Sequence, residues 1–144
     1  MIGVDTNVLV YSHRPESPHH ALARRLLHDL AEGTAPWAIP WQCLHEFFGV
    51  VTNHRLFSDA TPAEYALAQI AAWLASPSLV VLTETTNHWG TLVALIKTGQ
   101  IVGPKVHDAR IAALCLQHGV RELWTADRDF LRFPTLVVRN PLVD

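Results

Sequence analysis

Met1-Ile2-Gly3-Val4-Asp5-Thr6-Asn7-Val8-Leu9-Val10 is the stretch that decides the reading of this chain. Ile2-Gly3-Val4 is a short apolar run of the kind found in interior strands of parallel sheets, where both faces are covered and the side chains need not alternate. Asp5 stands where that strand should end. In open α/β folds ligands bind beyond the carboxyl ends of the strands, which puts Asp5 at a site mouth. Asp-x-Asn sequences also hydrogen-bond their own backbone, so Asp5 is equally suited to capping the turn that follows. The stretch by itself leaves both roles open.

With 144 residues, 49% of them hydrophobic, the chain reads as one domain, residues 1–144, long enough to bury a sizeable core. It starts directly on the first strand, without a basic leader, and holds no apolar run long enough for a signal peptide or a membrane span. A cytoplasmic protein is expected, with no membrane partner. Cys43 and Cys115 lie among apolar neighbours in helical segments and are read as reduced packing residues. A net charge of −2 argues weakly against a nucleic-acid binder. If Asp5, Glu46, Asp108, Asp127 and Asp129 share one site, however, the remaining eight acids face 11 Lys and Arg, and the exterior is mildly basic.

Working outward from the first strand, Pro15 and Pro18 mark a loop, and Leu22, Leu26, Leu27 and Leu30 line one face of a helix over His19 to Glu32, closed by Gly33. Trp37 to Pro40 fits a brief second strand. A helix from Trp41 to about Asn53 follows, with an apolar stripe of Leu44, Phe47, Phe48 and Val51. Glu46 points away from that stripe, which gives it a solvated reading. Thr61-Pro62-Ala63-Glu64 is the sequence of a capping box, opening a helix that Ser76-Pro77 ends. Leu79 to Leu82 is a third strand, and Asn87 can cap a helix running to Thr98. Val102-Gly103-Pro104 precedes a helix over Asp108 to His118, on which Asp108 shares the buried side with Ile111, Ala112 and Cys115 and also fits the N-cap position. Glu122 to Thr125 and Leu136 to Val138 complete the strands. Such alternation points to a mostly parallel sheet covered by helices on both faces.

Acids thus occur after strand one (Asp5), on the helix after strand two (Glu46), at a helix start (Asp108) and after strand four (Asp127, Asp129). Adjacent parallel strands one and four would bring Asp5 and Asp127 together. Carboxylates crowded in this way need a counter-charge, and an all-oxygen set suits Mg²⁺ or Mn²⁺. Zinc is disfavoured, because the nine histidines form no HExxH or Cys/His ligand spacing. His19, His20 and His107 are read as surface or supporting residues. No phosphate-binding Gly-rich loop or nucleophile elbow is present.

Val4-Asp5-Thr6-Asn7, the helix bearing Glu46, His107-Asp108-Ala109 and Leu123-Trp124-Thr125-Ala126-Asp127-Arg128-Asp129-Phe130 resemble, in this order and spacing, the PIN-domain ribonucleases. Within these the chain is similar to the VapC toxins of type II toxin-antitoxin modules. The tail Arg132-Phe133-Pro134 and Asn140-Pro141-Leu142 shares the likeness, with Thr135 standing where glycine is expected. The resemblance implies a five-stranded parallel sheet of order 3-2-1-4-5. It implies catalytic and metal-holding roles for Asp5, Glu46, Asp108 and Asp127, with Asp129 either a fifth ligand or a loop-stabilising residue, and supporting roles for Thr6, Asn7 and Thr125. It further implies Mg²⁺- or Mn²⁺-dependent RNA hydrolysis, a homodimer, and inhibition by a VapB-type antitoxin.

Two other readings compete. A haloacid-dehalogenase-like phosphatase also carries an aspartate after its first strand but needs a second aspartate two residues on, where this chain has Asn7. A non-catalytic PIN-like RNA- or protein-binding domain would tend to lose the acids that this chain keeps. Finally, Trp41, Phe47, Phe48 and Phe57 supply more aromatic area than one helix needs for docking on its sheet. Part of Trp37 to Phe57, with the helix over Thr61 to Ala75, is expected to line a dimer or antitoxin groove.

Overall fold

A computed structural model describes residues 1–143, with Asp144 of the expected domain outside the described residues. The strands are β1 (Ile2–Val4), β2 (Trp37–Pro40), β3 (Leu79–Leu82), β4 (Glu122–Trp124) and β5 (Val138–Arg139). All pairings are parallel and the order is β3-β2-β1-β4-β5. Ile2 lies opposite Trp37 on one side and Glu122 on the other, which makes the opening strand the sheet's centre. Every residue of β2 is buried. Because successive strand residues point to opposite faces, both faces of the sheet are covered.

The covering helices are α1 (Thr6–His13), α2 (His20–Glu32), α3 (Trp41–Val51), α4 (Ala63–Leu74), α5 (His88–Gly99) and α6 (Val106–Gln117). The first of these corrects the sequence reading, which left a loop after β1. Its Thr6, Val8 and Val10 are β-branched and weak helix formers. Burial overrides that preference, since Val8 and Leu9 are fully enclosed in the core. The helix ends before Pro15, whose predecessor Arg14 takes an extended conformation.

Other boundaries shift for identifiable reasons. The capping box at Thr61 does not form: Pro62 occupies the cap position, and the Thr61 hydroxyl instead receives the Arg14 guanidinium at 3.1 Å and meets His13 Nε2 at 3.0 Å. Asn87 makes no side-chain cap. Asp108 is not an N-cap either, because the 3-10 turn Gly103–Lys105 runs directly into α6 and leaves Asp108 within the first turn. The last strand begins two residues late, since a turn pairs Leu136 N–H with Phe133 O at 3.0 Å. After α5 the chain reverses at Gln100, at φ 51°, rather than at Gly99. Gly99 answers to a close approach, as a Cβ there would lie 3.1 Å from the Phe133 ring.

Phe47 anchors α3. It is fully buried, edge-on to His13 at 5.2 Å and to Trp73 of α4 at 4.8 Å between ring centroids. Both cysteines are free and buried, as read from their neighbours. Among the described residues no helix is long and apolar enough to cross a membrane.

Because Phe47 ties α1, α3 and α4 together, Phe47→Ala should lower the unfolding free energy by about 3–5 kcal/mol. Urea denaturation measures this, and a loss under about 1 kcal/mol would contradict the packing described.

Candidate active site

The carboxyl ends of β1 and β4 meet where Asp5 N–H donates to Trp124 O at 3.0 Å. Asp5 then turns the chain straight from strand into helix. Its Oδ1 accepts Thr6 N–H at 2.8 Å and lies 3.6 Å from the Cys43 thiol. Its Oδ2 accepts the Thr125 hydroxyl at 2.8 Å and the Asn7 amide at 3.3 Å. Of the two roles left open by the sequence, the cap is formed, with one oxygen capping α1, and the side chain also lines a cavity. At 5% exposure Asp5 is nearly enclosed. Burial pushes its carboxyl up from 3.8 to about 6, against the hydrogen bonds from Thr125 and Thr6, and Glu46 adds repulsion.

A polar relay extends from this residue. The Thr125 hydroxyl accepts from Asn7 Nδ2 and from Asp127 N–H, both at 3.0 Å, while Asn7 Oδ1 accepts Ala126 N–H at 3.1 Å. Thr125 thus couples the loop after β4 to Asp5. On the other flank the Thr6 hydroxyl donates to Glu46 Oε2 at 3.0 Å. Glu46 does point away from the apolar stripe of α3, as its position predicts, but the direction is into the site. Thr6, Asn7 and Thr125 are each hydrogen-bonded to a carboxylate of this group.

Asp5, Glu46, Asp108 and Asp127 line one cavity of about 270 Å³, together with Val10, Tyr11, Val50 and Ile111. Burial and the neighbouring Asp127 raise the Asp108 carboxyl above its usual range, while Lys105 works in the opposite direction. Asp129 stands apart. Its oxygen belongs to a group with Asp108 and Asp127 in which the carboxylate atoms lie within 4.8 Å of one another, yet it does not line the cavity and is ion-paired with Lys105. That ammonium holds the Asp129 carboxyl below its ordinary range. Its N–H also donates to Asp127 Oδ1 at 2.9 Å, closing the loop.

Sequence reasoning missed Lys105, whose Nζ is also 3.9 Å from Asp108 Oδ2. The available signal was its position three residues before Asp108 on a helical path. Tyr11 was missed along with α1. His107 is exposed and outside the cavity lining, in keeping with its surface reading. The donor set is all oxygen, and burial holds the central Asp5 carboxyl above its ordinary range. Such a set suits a hard divalent cation and offers no thiolate or imidazole for a softer one.

A family model described as PIN domain matches residues 2–136. The chain belongs to the PIN-domain family. Within it the chain groups with the VapC ribonucleases: it is 38% identical to Ribonuclease VapC43 of Mycobacterium tuberculosis over 142 residues, 99% of this chain and 96% of that protein. Two solved structures share the fold. One is VapBC2 from Rickettsia felis bound to a promoter DNA fragment, at TM-score 0.66 and 20% identity, covering 96% of this chain and 98% of that one. The other is Mycobacterium tuberculosis VapC20, a sarcin-ricin loop cleaving toxin, at TM-score 0.66 and 21% identity, covering 91% and 93%. The phosphatase alternative is set aside, and Asn7 serves Asp5 as a hydrogen-bond donor.

The raised Asp5 carboxyl fixes the sign of a pH effect in metal-chelated protein. Between the unfolded value near 3.8 and the folded value near 6 the folded state binds more protons, so the stability Asp5 contributes is full below pH 4 and is lost as pH rises through 6. At about 1.4 kcal/mol per unit this amounts to roughly 3 kcal/mol. Asp5→Asn should therefore gain on the wild type in thermal melts as pH rises from 4 to 7, and a gap that stays level or closes would refute the assignment.

Proposed function

We propose that this protein is a Mg²⁺- or Mn²⁺-dependent ribonuclease and the toxin of a VapBC-type module in the cytoplasm. The observation that carries the reading is the convergence of Asp5, Glu46, Asp108 and Asp127, from four separate places in the chain, on one cavity at the sheet's carboxyl edge. These four would hold the ion, which supplies Lewis-acid activation of water and charge neutralisation at the scissile phosphate. Thr125, Asn7 and the Thr6 N–H keep the Asp5 oxygens oriented, so the inner carboxylate needs no reorganisation when a cation or substrate arrives. Thr6 does the same for Glu46. In-line attack of water on the phosphodiester leaves a 5′-phosphate and a 3′-hydroxyl and does not require the ribose 2′-hydroxyl as nucleophile.

An apolar groove supports the partner half of the proposal. Trp41, Leu44, His45 and Phe48 of α3 face Leu67 and Ile70 of α4 across a cavity of about 280 Å³. Trp41 and Leu67 are exposed at 39% and 57%, more than a closed core would leave. Phe47 and Phe57, expected in this groove, lie elsewhere: Phe47 is core, and Phe57 sits beneath the Arg14 guanidinium at 4.3 Å. We assign the groove to an amphipathic segment of a cognate VapB-type antitoxin, with a second copy of this chain as the other occupant.

Cleavage of RNA should need Mg²⁺ or Mn²⁺ and stop in EDTA, and Asp5→Asn should abolish it while the protein stays folded; full activity in either condition would sink the metal mechanism. Asp127→Asn should cost more than Asp129→Asn, which is expected to remain within about tenfold of wild type because Asp129 acts from outside the cavity. Side-by-side cleavage rates decide the order. Binding of an antitoxin peptide should show a negative heat-capacity change that Phe48→Ala reduces, and calorimetry at several temperatures measures it.

A further inference from the structure

Lys105 is oddly placed for a residue with a purely structural task. It closes the 3-10 turn Gly103–Lys105 and immediately precedes α6, so its positive charge sits at the positive end of a helix dipole. The backbone leading to it is fixed by Gly103, at φ 60°, and by Pro104, which confines its own φ. Helix stability therefore does not explain a lysine here. The acids do: Nζ pairs with Asp129 Oδ2 and lies 3.9 Å from Asp108 Oδ2, at the outer edge of the group formed by Asp108, Asp127 and Asp129.

Two-ion phosphodiesterases place their cations roughly 3.5–4 Å apart, with carboxylates between them. A cation position formed by Asp129 and the outer oxygen of Asp108 is already occupied by an ammonium in this chain. We propose that Lys105 supplies the second positive charge of the site, so that the protein takes up one divalent ion per chain rather than two. This rests on the metal-dependent reading of the cavity and specifies it further. Lys105 is a charge-balancing residue, and Asp129 is its anchor. The assignment also separates the acids by task, with Asp5, Glu46, Asp108 and Asp127 lining the inner cavity and Asp129 holding the lysine.

Counting bound Mn²⁺ on the full chain without RNA, by equilibrium dialysis with calorimetry, tests the proposal through a readout independent of cleavage. Wild type and Lys105→Arg should each bind one ion. Lys105→Met frees Asp129 and should bind two, and the double variant Lys105→Met with Asp129→Asn should return to one. Lys105 is exposed, so these chains should fold, which circular dichroism verifies, and Lys105→Gln serves as a second charge-removing variant. Two ions on the wild type, or one on both Lys105→Met and Lys105→Gln, overturn the role of Lys105 and leave the metal-dependent reading intact. No Mn²⁺ on any of the variants or the wild type overturns both.

Discussion

A carboxyl group enclosed at the end of the central strand is the constraint on which this molecule is built. Burying an ionisable acid costs free energy unless donors surround it, and Asp5 is met by the Thr6 N–H, the Thr125 hydroxyl, the Asn7 amide and the Cys43 thiol. Those donors come from the turn into α1, from α3 and from the loop after β4. The requirement to satisfy one side chain therefore specifies how three elements approach the sheet edge. Pairing of β1 with β4 makes it possible, because the register that sets Val4 opposite Trp124 also brings Thr125 beside Asp5.

The solution is incomplete by design of the fold, in that hydrogen bonds orient Asp5 without neutralising it. Burial still lifts its carboxyl to about 6, and Asp108 is raised as well. Adding protein cations inside the cavity would relieve the repulsion but fill the cavity. Lys105 is instead held outside the cavity lining by Asp129, where its charge offsets part of the negative charge of the acid cluster without closing the cavity. The chain accepts lower stability around Asp5 in return for a preorganised, electron-rich pocket, a common feature of functional sites.

Most of the architecture is legible in the sequence because parallel strands buried on both faces are written as short apolar runs between helices of clear periodicity. Strand order is harder. Nothing in the local pattern of Ile2-Gly3-Val4 says that it lies between β2 and β4, and only likeness to a known family supplies the order that the pairing shows. Helix α1 escaped notice because its β-branched residues carry no helical signature, and only the tertiary enclosure of Val8 and Leu9 makes them helical. The capping residues misled for a related reason: Thr61 has the right identity for a cap, but its hydroxyl is drawn to Arg14 and His13, partners 47 and 48 residues away. Lys105 illustrates the limit for the site, since a single exposed lysine is unremarkable until the fold brings Asp129 to it across 24 residues.

Glu46 shows how one helix can carry a cavity-lining acid that its sequence pattern does not single out. Along α3, Cys43, Glu46 and Val50 turn toward Asp5 and its cavity, Phe47 and Val51 enter the core, and Trp41, His45 and Phe48 line the groove against α4. Trp41, His45, Glu46 and Gly49 are all exposed on this helix, so exposure alone does not separate the acid at the cavity from its neighbours. The wedge of Phe47 between His13 and Trp73 fixes the rotation of the helix about its axis. With that rotation set, the carboxylate is delivered to the Thr6 hydroxyl on one flank and the aromatic surface to the groove on the other. The acidic cavity and the apolar groove are thus two outcomes of a single packing decision, and neither can be repositioned without moving the other.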